Sequence, residues 1–155
     1  MTGDLITEQQ RENKKLEVFA GKWHTLGEIY DAGQVTGKVN AIDTYEWLPG
    51  GYAMIHYADS SMGELKMHGI EIIGYDPSRE AYFAPFFDDQ GSVGWEEIRL
   101  KDNRWSWNGE NVMGVRYHRC MASFTDKDTI TARHEHSSDN QSWNKWMEIT
   151  LRRMK

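Results

Sequence analysis

A chain of 155 residues fits a single domain with a sizeable core, because a domain near this length buries roughly 68–70% of the surface of its unfolded chain. Its 18 basic and 24 acidic residues leave a formal net charge of −6, which excludes the basic footprint that drives binding to phosphate backbones, so no nucleic-acid partner is expected. No apolar run approaches the ~20 residues that span a bilayer, and Met1-Thr2-Gly3-Asp4 opens neither a signal peptide nor a basic targeting segment, so no membrane partner and a cytoplasmic location are expected.

The apolar content is carried by large side chains, with seven Trp, seven Tyr, five Phe and eight Met. Aromatic residues therefore dominate the area available for burial. Cys120 is the single cysteine, which excludes an intrachain disulfide.

Thr7 followed by Gln10 has the spacing of a capping box, and Glu8 to Phe19 contains good helix formers with Leu16 and Phe19 three apart. One short helix is expected over residues 1–20, packed on one end or edge of a sheet. After Ala20-Gly21 the hydrophobic period changes from that of a helix to two. Ten short runs rich in β-branched and aromatic residues are expected as strands: Trp23–Tyr30, Lys38–Trp47, Tyr52–Ala58, Leu65–Tyr75, Ala81–Phe87, Val93–Leu100, Arg104–Asn108, Arg116–Phe124, Thr129–Ser137 and Lys145–Arg153.

The connections are short and polar, with Gly or Asx where unusual backbone angles fall, as in Asp31-Ala32-Gly33 and Asp88-Asp89-Gln90-Gly91. In Glu46-Trp47-Leu48-Pro49-Gly50-Gly51-Tyr52, Pro49 presets φ for the second position of a tight turn. Gly50 or Gly51 supplies the positive φ that a type II turn then needs. Short connections make neighbours antiparallel, and parallel βαβ units are excluded. The fold class is thus all-β, an antiparallel up-and-down barrel of about ten strands closed on itself to remove its edges. A two-sheet sandwich is the alternative.

Phe19-Ala20-Gly21-Lys22-Trp23, Glu46-Trp47-Leu48-Pro49-Gly50-Gly51-Tyr52 and Ile73-Gly74-Tyr75-Asp76-Pro77 together resemble the bacterial domain-of-unknown-function family 1579. That resemblance implies a lipocalin-like (calycin-like) barrel over one domain, 1–155, with 1–20 as the helical segment and 21–155 as the barrel. The motifs are turns and barrel-end aromatics, and the family carries no agreed activity.

Alternation assigns faces within strands. In Thr129–Ser137 the phase Ile130, Ala132, His134, His136 faces inward, and in the last strand Met147, Ile149 and Leu151 do. The phase Leu65, Met67, Gly69, Glu71, Ile73, Tyr75 is apolar except for Glu71, and Trp95, Glu97 and Arg99 share a face. A partly polar cavity lined by aromatics is expected, with Glu71, His134, His136, His56, Trp95, Arg99 and Tyr117 as candidate ligand-binding residues. An inward arginine beside Tyr117 would suit a ligand carboxylate.

His134 and His136 lie about 7 Å apart along a strand, a spacing that metal sites use. His56, His68, His118 and Glu71 offer further ligands, but nothing in the spacing selects among them, and hydrogen-bonded histidines are the expected role. Cys120, with His118 two residues away, reads as an inert, half-buried thiol. No Gly-rich phosphate loop, haem attachment motif, Gly-x-Ser-x-Gly or His-Glu-x-x-His is present, so no cofactor is implied.

The expected function is binding of a small apolar or amphipathic molecule. The alternatives are an acid–base enzyme of isomerase, cyclase or hydrolase type using Glu71 and a histidine, and an oligomeric module, a homodimer for instance, with a packed interior.

Overall fold

The computed structural model describes residues Thr2 to Lys155, with side chains from Thr7 onward. A helix α1 (Thr2–Lys14) continues into a 3₁₀ turn (Lys15–Phe19) and then into ten strands. These are β1 (Gly21–Asp31), β2 (Gln34–Trp47), β3 (Met54–Met62), β4 (Leu65–Asp76), β5 (Ala81–Asp88), β6 (Val93–Lys101), β7 (Arg104–Val112), β8 (Val115–Asp126), β9 (Thr129–Ser137) and β10 (Asn144–Arg153). Every strand pairs antiparallel with its sequence neighbour, and β1 pairs with β10 from Trp23↔Arg153 to Ile29↔Met147, so the sheet is a closed barrel. The sandwich alternative is thereby overturned. Among the described residues no helix is long and apolar enough to cross a membrane.

The helix begins before Thr7, which therefore sits inside it and not at its cap. It also tightens towards its end. Residues three apart eclipse in a 3₁₀ turn, which drops both Leu16 and Phe19, each buried, into the same end of the barrel. Asn13 holds the helix there: its Nδ2 donates to the Tyr52 carbonyl at 3.1 Å, and its Oδ1 accepts from the Tyr75 amide at 3.0 Å. Tyr82 adds a hydroxyl bond to the Glu12 carbonyl at 2.7 Å.

At the same end the β2–β3 turn behaves as its residues dictate. Gly51 N–H donates to Leu48 O at 3.0 Å, and Gly50 takes a φ of 98°, a value that disfavours any side chain.

Beneath the helix, aromatic rings form the closed floor. Phe19 stacks on Tyr45 with centroids 5.4 Å apart and meets Trp105 edge-on at 4.9 Å. Trp23 is fully buried, and its indole N–H donates to the Phe19 carbonyl at 2.8 Å, which satisfies the polar atom that makes burying a tryptophan costly. Near the other end Met62 and Met113 line an interior space. The barrel is thus stoppered at one end and lined by flexible side chains towards the other.

Candidate functional site

The inward phases of the strands enclose a cavity of about 150 Å³. Much of its wall is apolar, but a belt of polar side chains runs round it. On β2 the alternation Val39, Ala41, Tyr45 carries Asp43 inward, and Asp43 accepts a hydrogen bond from the Thr25 hydroxyl of β1. Its other oxygen lies 2.7 Å from His56 Nε2 on β3. His56 pairs in register with Tyr45 on one side and Glu71 on the other. Its ring stacks flat on Tyr45 at 4.2 Å, while its Nδ1 lies 3.4 Å from Glu71 Oε1.

Glu71 in turn meets Glu96 of β6, carboxyl to carboxyl. Glu96 Oε2 lies 3.0 Å from His118 Nδ1 on β8, His118 Nε2 lies 2.9 Å from His134 Nδ1 on β9, and His134 Nε2 faces Cys120 Sγ at 3.6 Å.

Gly109 makes this belt continuous. Glu96, Gly109 and His118 are successive partners across β6, β7 and β8, so a side chain on the middle strand would stand between carboxyl and imidazole. A Cβ built at Gly109 would lie 2.8 Å from Glu96 Cγ and 2.0 Å from the Trp95 carbonyl oxygen. Ala84, also small and fully buried, occupies the position opposite Glu96 on β5.

Burial sorts the charges. Burial pulls the His56 pKa down, but the hydrogen bonds and charges of Asp43 and Glu71 outweigh it and hold the ring protonated, at about 10. Burial raises Glu71 to about 7, against the opposing bond from His56, and raises Glu96 to about 8. The same desolvation lowers His118 to about 4 and, together with the neighbouring His118, lowers His134 to about 3. It also pushes the Cys120 thiol well above its ordinary value.

Glu96 and His118 sit at ion-pair distance, yet with side chains 5% and 2% exposed both are neutral, because desolvating two charges costs more than their attraction returns. Around neutral pH the belt therefore holds a protonated His56 between Asp43 and Glu71, a carboxyl pair sharing about one proton, and two neutral imidazoles.

These shifts predict a pH dependence of stability. His118 and His134, lowered from 6.5 to about 4 and 3, bind protons more weakly when folded, so their contribution is complete above 6.5 and is lost as pH falls towards those values. Glu71 and Glu96, raised from 4.5, and His56, raised from 6.5, bind protons more tightly when folded. Their contribution is complete below the unfolded values and is lost as pH rises through about 7, 8 and 10. The melting temperature is expected to peak near pH 5–6 and fall towards pH 9, and Glu96→Gln, neutral at every pH, is expected to flatten the alkaline limb. Thermal scans from pH 4 to 10 check this; a melting temperature that rises from pH 6 to 9 contradicts it.

Of the residues picked out from sequence, Glu71, His56 and His134 line the cavity and join one hydrogen-bonded chain. His136 does not line it; its ring stands edge-on to Trp146 with centroids 5.6 Å apart. Trp95, Arg99 and Tyr117 lie on the outer wall, which corrects the expectation that they face the interior. The inward phase of β6 is Glu96 and Ile98, both buried, and that of β8 is His118 and Cys120. Outside, Arg99 binds its neighbour Glu97 at 2.6 Å, and Tyr117 lies under the Arg116 guanidinium.

Asp43, Glu96, Thr25 and Gly109 are the site residues that sequence reasoning missed. Asp43 interrupts an otherwise apolar inward phase, and Glu96 shares its parity with Ile98. Both signals were present. A glycine inside a strand is likewise a known mark of close approach.

Among solved structures, the chain is similar to Rv2717c from M. tuberculosis, with a TM-score of 0.70 and 10% identity over 92% of this chain and 96% of that one. It is also similar to the S-type phycobiliprotein lyase CPES from Guillardia theta, with a TM-score of 0.60 and 11% identity over 94% of this chain and 97% of that one. At such identities the likeness is one of fold. No curated protein matches the sequence. The model of the family described as protein of unknown function (DUF1579) matches residues 8–153, all ten strands with most of the stopper, and the chain belongs to that family.

Proposed function

We propose that the barrel binds a small, compact, largely apolar molecule through one polar group that meets the belt at Glu71 or His134. The observation that carries this reading is the weak end of the hydrogen-bonded chain. His134 Nε2 has only a thiol sulfur opposite it among the described residues, at 3.6 Å, and sulfur is a poor hydrogen-bond partner. An oxygen or nitrogen entering the cavity satisfies that nitrogen better than Cys120 does.

Size limits the ligand. Drug-sized pockets run to about 300–1,000 Å³, whereas about 150 Å³ accommodates roughly one six-membered ring. A long amphipathic chain fits this volume poorly, which narrows the expectation from sequence to a compact molecule.

The test is binding of a graded series of ring compounds, phenol and cyclohexanone against a two-ring naphthol, followed by saturation-transfer NMR. Saturable binding of the one-ring compounds with exclusion of the naphthol is expected, and Glu71→Gln should weaken phenol binding by about tenfold, the effect of altering one hydrogen bond to a charged group. Equal binding of all three, or none, overturns the reading.

A further inference from the structure

The belt is more than an anchor, because the contacts from Glu96 through His118 to His134, with Glu96 meeting Glu71, allow two complementary arrangements of the same protons. In the first, Glu96 donates its proton to Glu71, His118 Nδ1–H donates to Glu96, His134 Nδ1–H donates to His118 Nε2, and His134 Nε2 is left bare towards the cavity. In the second, every proton has moved one place. Glu96 donates to His118 Nδ1, His118 Nε2–H donates to His134 Nδ1, and His134 Nε2–H points into the cavity. Both states hold the same number of protons, and both keep the two imidazoles neutral. A proton that enters at His134 thus releases one at Glu71 with no net change of charge in the interior, which is the condition for moving protons cheaply where desolvation is severe.

The two termini of the relay face the same cavity. β4 and β9 are diametrically opposed in the ring order of the closed barrel, and Glu71 and His134 both line the cavity between them. We propose that this protein catalyses a 1,3-proton shift in a small unsaturated carbonyl compound, with His134 and Glu71 as the paired base and acid and with His118 and Glu96 as the relay between them.

In the first half-reaction His134 Nε2 takes the proton from the carbon between the carbonyl and the double bond. The C–H electron pair becomes the new C=C bond, the carbonyl π pair takes the proton from Glu71, and a neutral dienol forms as the relay shifts. In the second, His134 Nε2–H protonates the far carbon of the dienol, and the O–H proton returns to Glu71. The C=O bond re-forms, now conjugated with the C=C bond, and the relay is back in its first state. One proton leaves one carbon and one arrives at another, with no oxidant, reductant or co-reactant.

The belt favours this concerted route over a free enolate. His56, the cation beside Glu71, is already held by two carboxyl groups, Asp43 and Glu71, so an enolate would lack a free counter-charge. Donation of a proton from Glu71 removes the need for one.

The inference rests on the proposed binding of a small ring compound, and its test separates the two. Cyclohex-3-enone is converted to cyclohex-2-enone with a rise in ultraviolet absorbance, and cyclohexanone serves as the unreactive analogue for binding. The wild-type protein is expected to accelerate the conversion at least a hundredfold over buffer at equal pH. Glu71→Gln and His134→Gln should each lose tenfold or more of that rate. His118→Asn, a change within the relay and at neither of its termini, should lower kcat about tenfold while leaving cyclohexanone affinity within about twofold, a split that a merely structural role would not produce. Binding of cyclohexanone without isomerisation by the wild type overturns the catalytic inference and leaves the binding reading standing. Failure to bind cyclohexanone overturns both.

Discussion

Gly109→Ala is expected to lower the melting temperature by roughly 6–12 °C, the counterpart of about 3 kcal/mol for a domain of this length. The added methyl would lie 2.0 Å from the Trp95 carbonyl oxygen and 2.8 Å from Glu96 Cγ, and the first of these neighbours is backbone, which gives way only by displacing a strand. Either β6 and β7 separate, at the cost of their ladder, or the Glu96 side chain is driven from His118.

The same substitution at Gly33, where a Cβ meets nothing within 4 Å and the sole penalty is a φ of +79°, should cost about 1 kcal/mol. Differential scanning calorimetry of the two variants separates close approach from backbone strain. Equal losses would remove Gly109 from the account of the site. Because the belt passes across Gly109, its alanine variant should also lose ring-compound binding, whereas Gly33→Ala should keep it.

Asp43→Ala is expected to destabilise the protein by about 3–5 kcal/mol near pH 6, the range for removing one partner of a buried ion pair. Its side chain is 10% exposed and that of His56 18%, so little solvent is at hand to replace the lost carboxylate. With Asp43 gone, the larger of the two hydrogen bonds that hold His56 at about 10 is removed. The ring should then titrate several units lower, which NMR of its Cε1 proton records directly. Thr25→Val should cost less in the Asp43→Ala background than in wild type, because the Thr25 hydroxyl donates to Asp43. Urea unfolding measures both. A His56 that still titrates near 10 in Asp43→Ala would show that Glu71 suffices and that Asp43 and His56 do not act as a unit.

How much of this was legible depended on whether a feature is local. Strands announced themselves through period two and through turns such as Leu48-Pro49-Gly50-Gly51, and the expected Thr129–Ser137 coincides with β9. The helix was seen but its start was misplaced, because a capping-box spacing at Thr7 and Gln10 also occurs inside helices. Phase was readable where one face is plainly polar, so Glu71 and His134 were identified. It failed in Val93–Lys101, where Trp95 outside competes with Ile98 inside and the sequence offers apolar residues to both faces. What no single strand reveals is which inward polar groups meet. That Glu96 reaches His118 depends on cross-strand register and on a missing side chain at Gly109, information distributed over three strands.

The pairing of β1 with β10 has a consequence for the life of the chain before it is folded. The ring joins the earliest strand to the latest, and the join is fastened by Arg153, whose guanidinium reaches the carbonyls of Val18 and Ala20 and the Asp128 carboxylate while lying over the Trp23 ring at 4.2 Å. During synthesis β1 to β9 emerge one after another as a growing ribbon with both borders unpaired, and the seal cannot form until Arg153 has cleared the ribosome. Such contacts between distant parts of a chain form slowly, and open strand borders recruit other chains. The nascent protein therefore passes through a stage with two open strand borders, and the closure fastened by Arg153 brings that stage to its end.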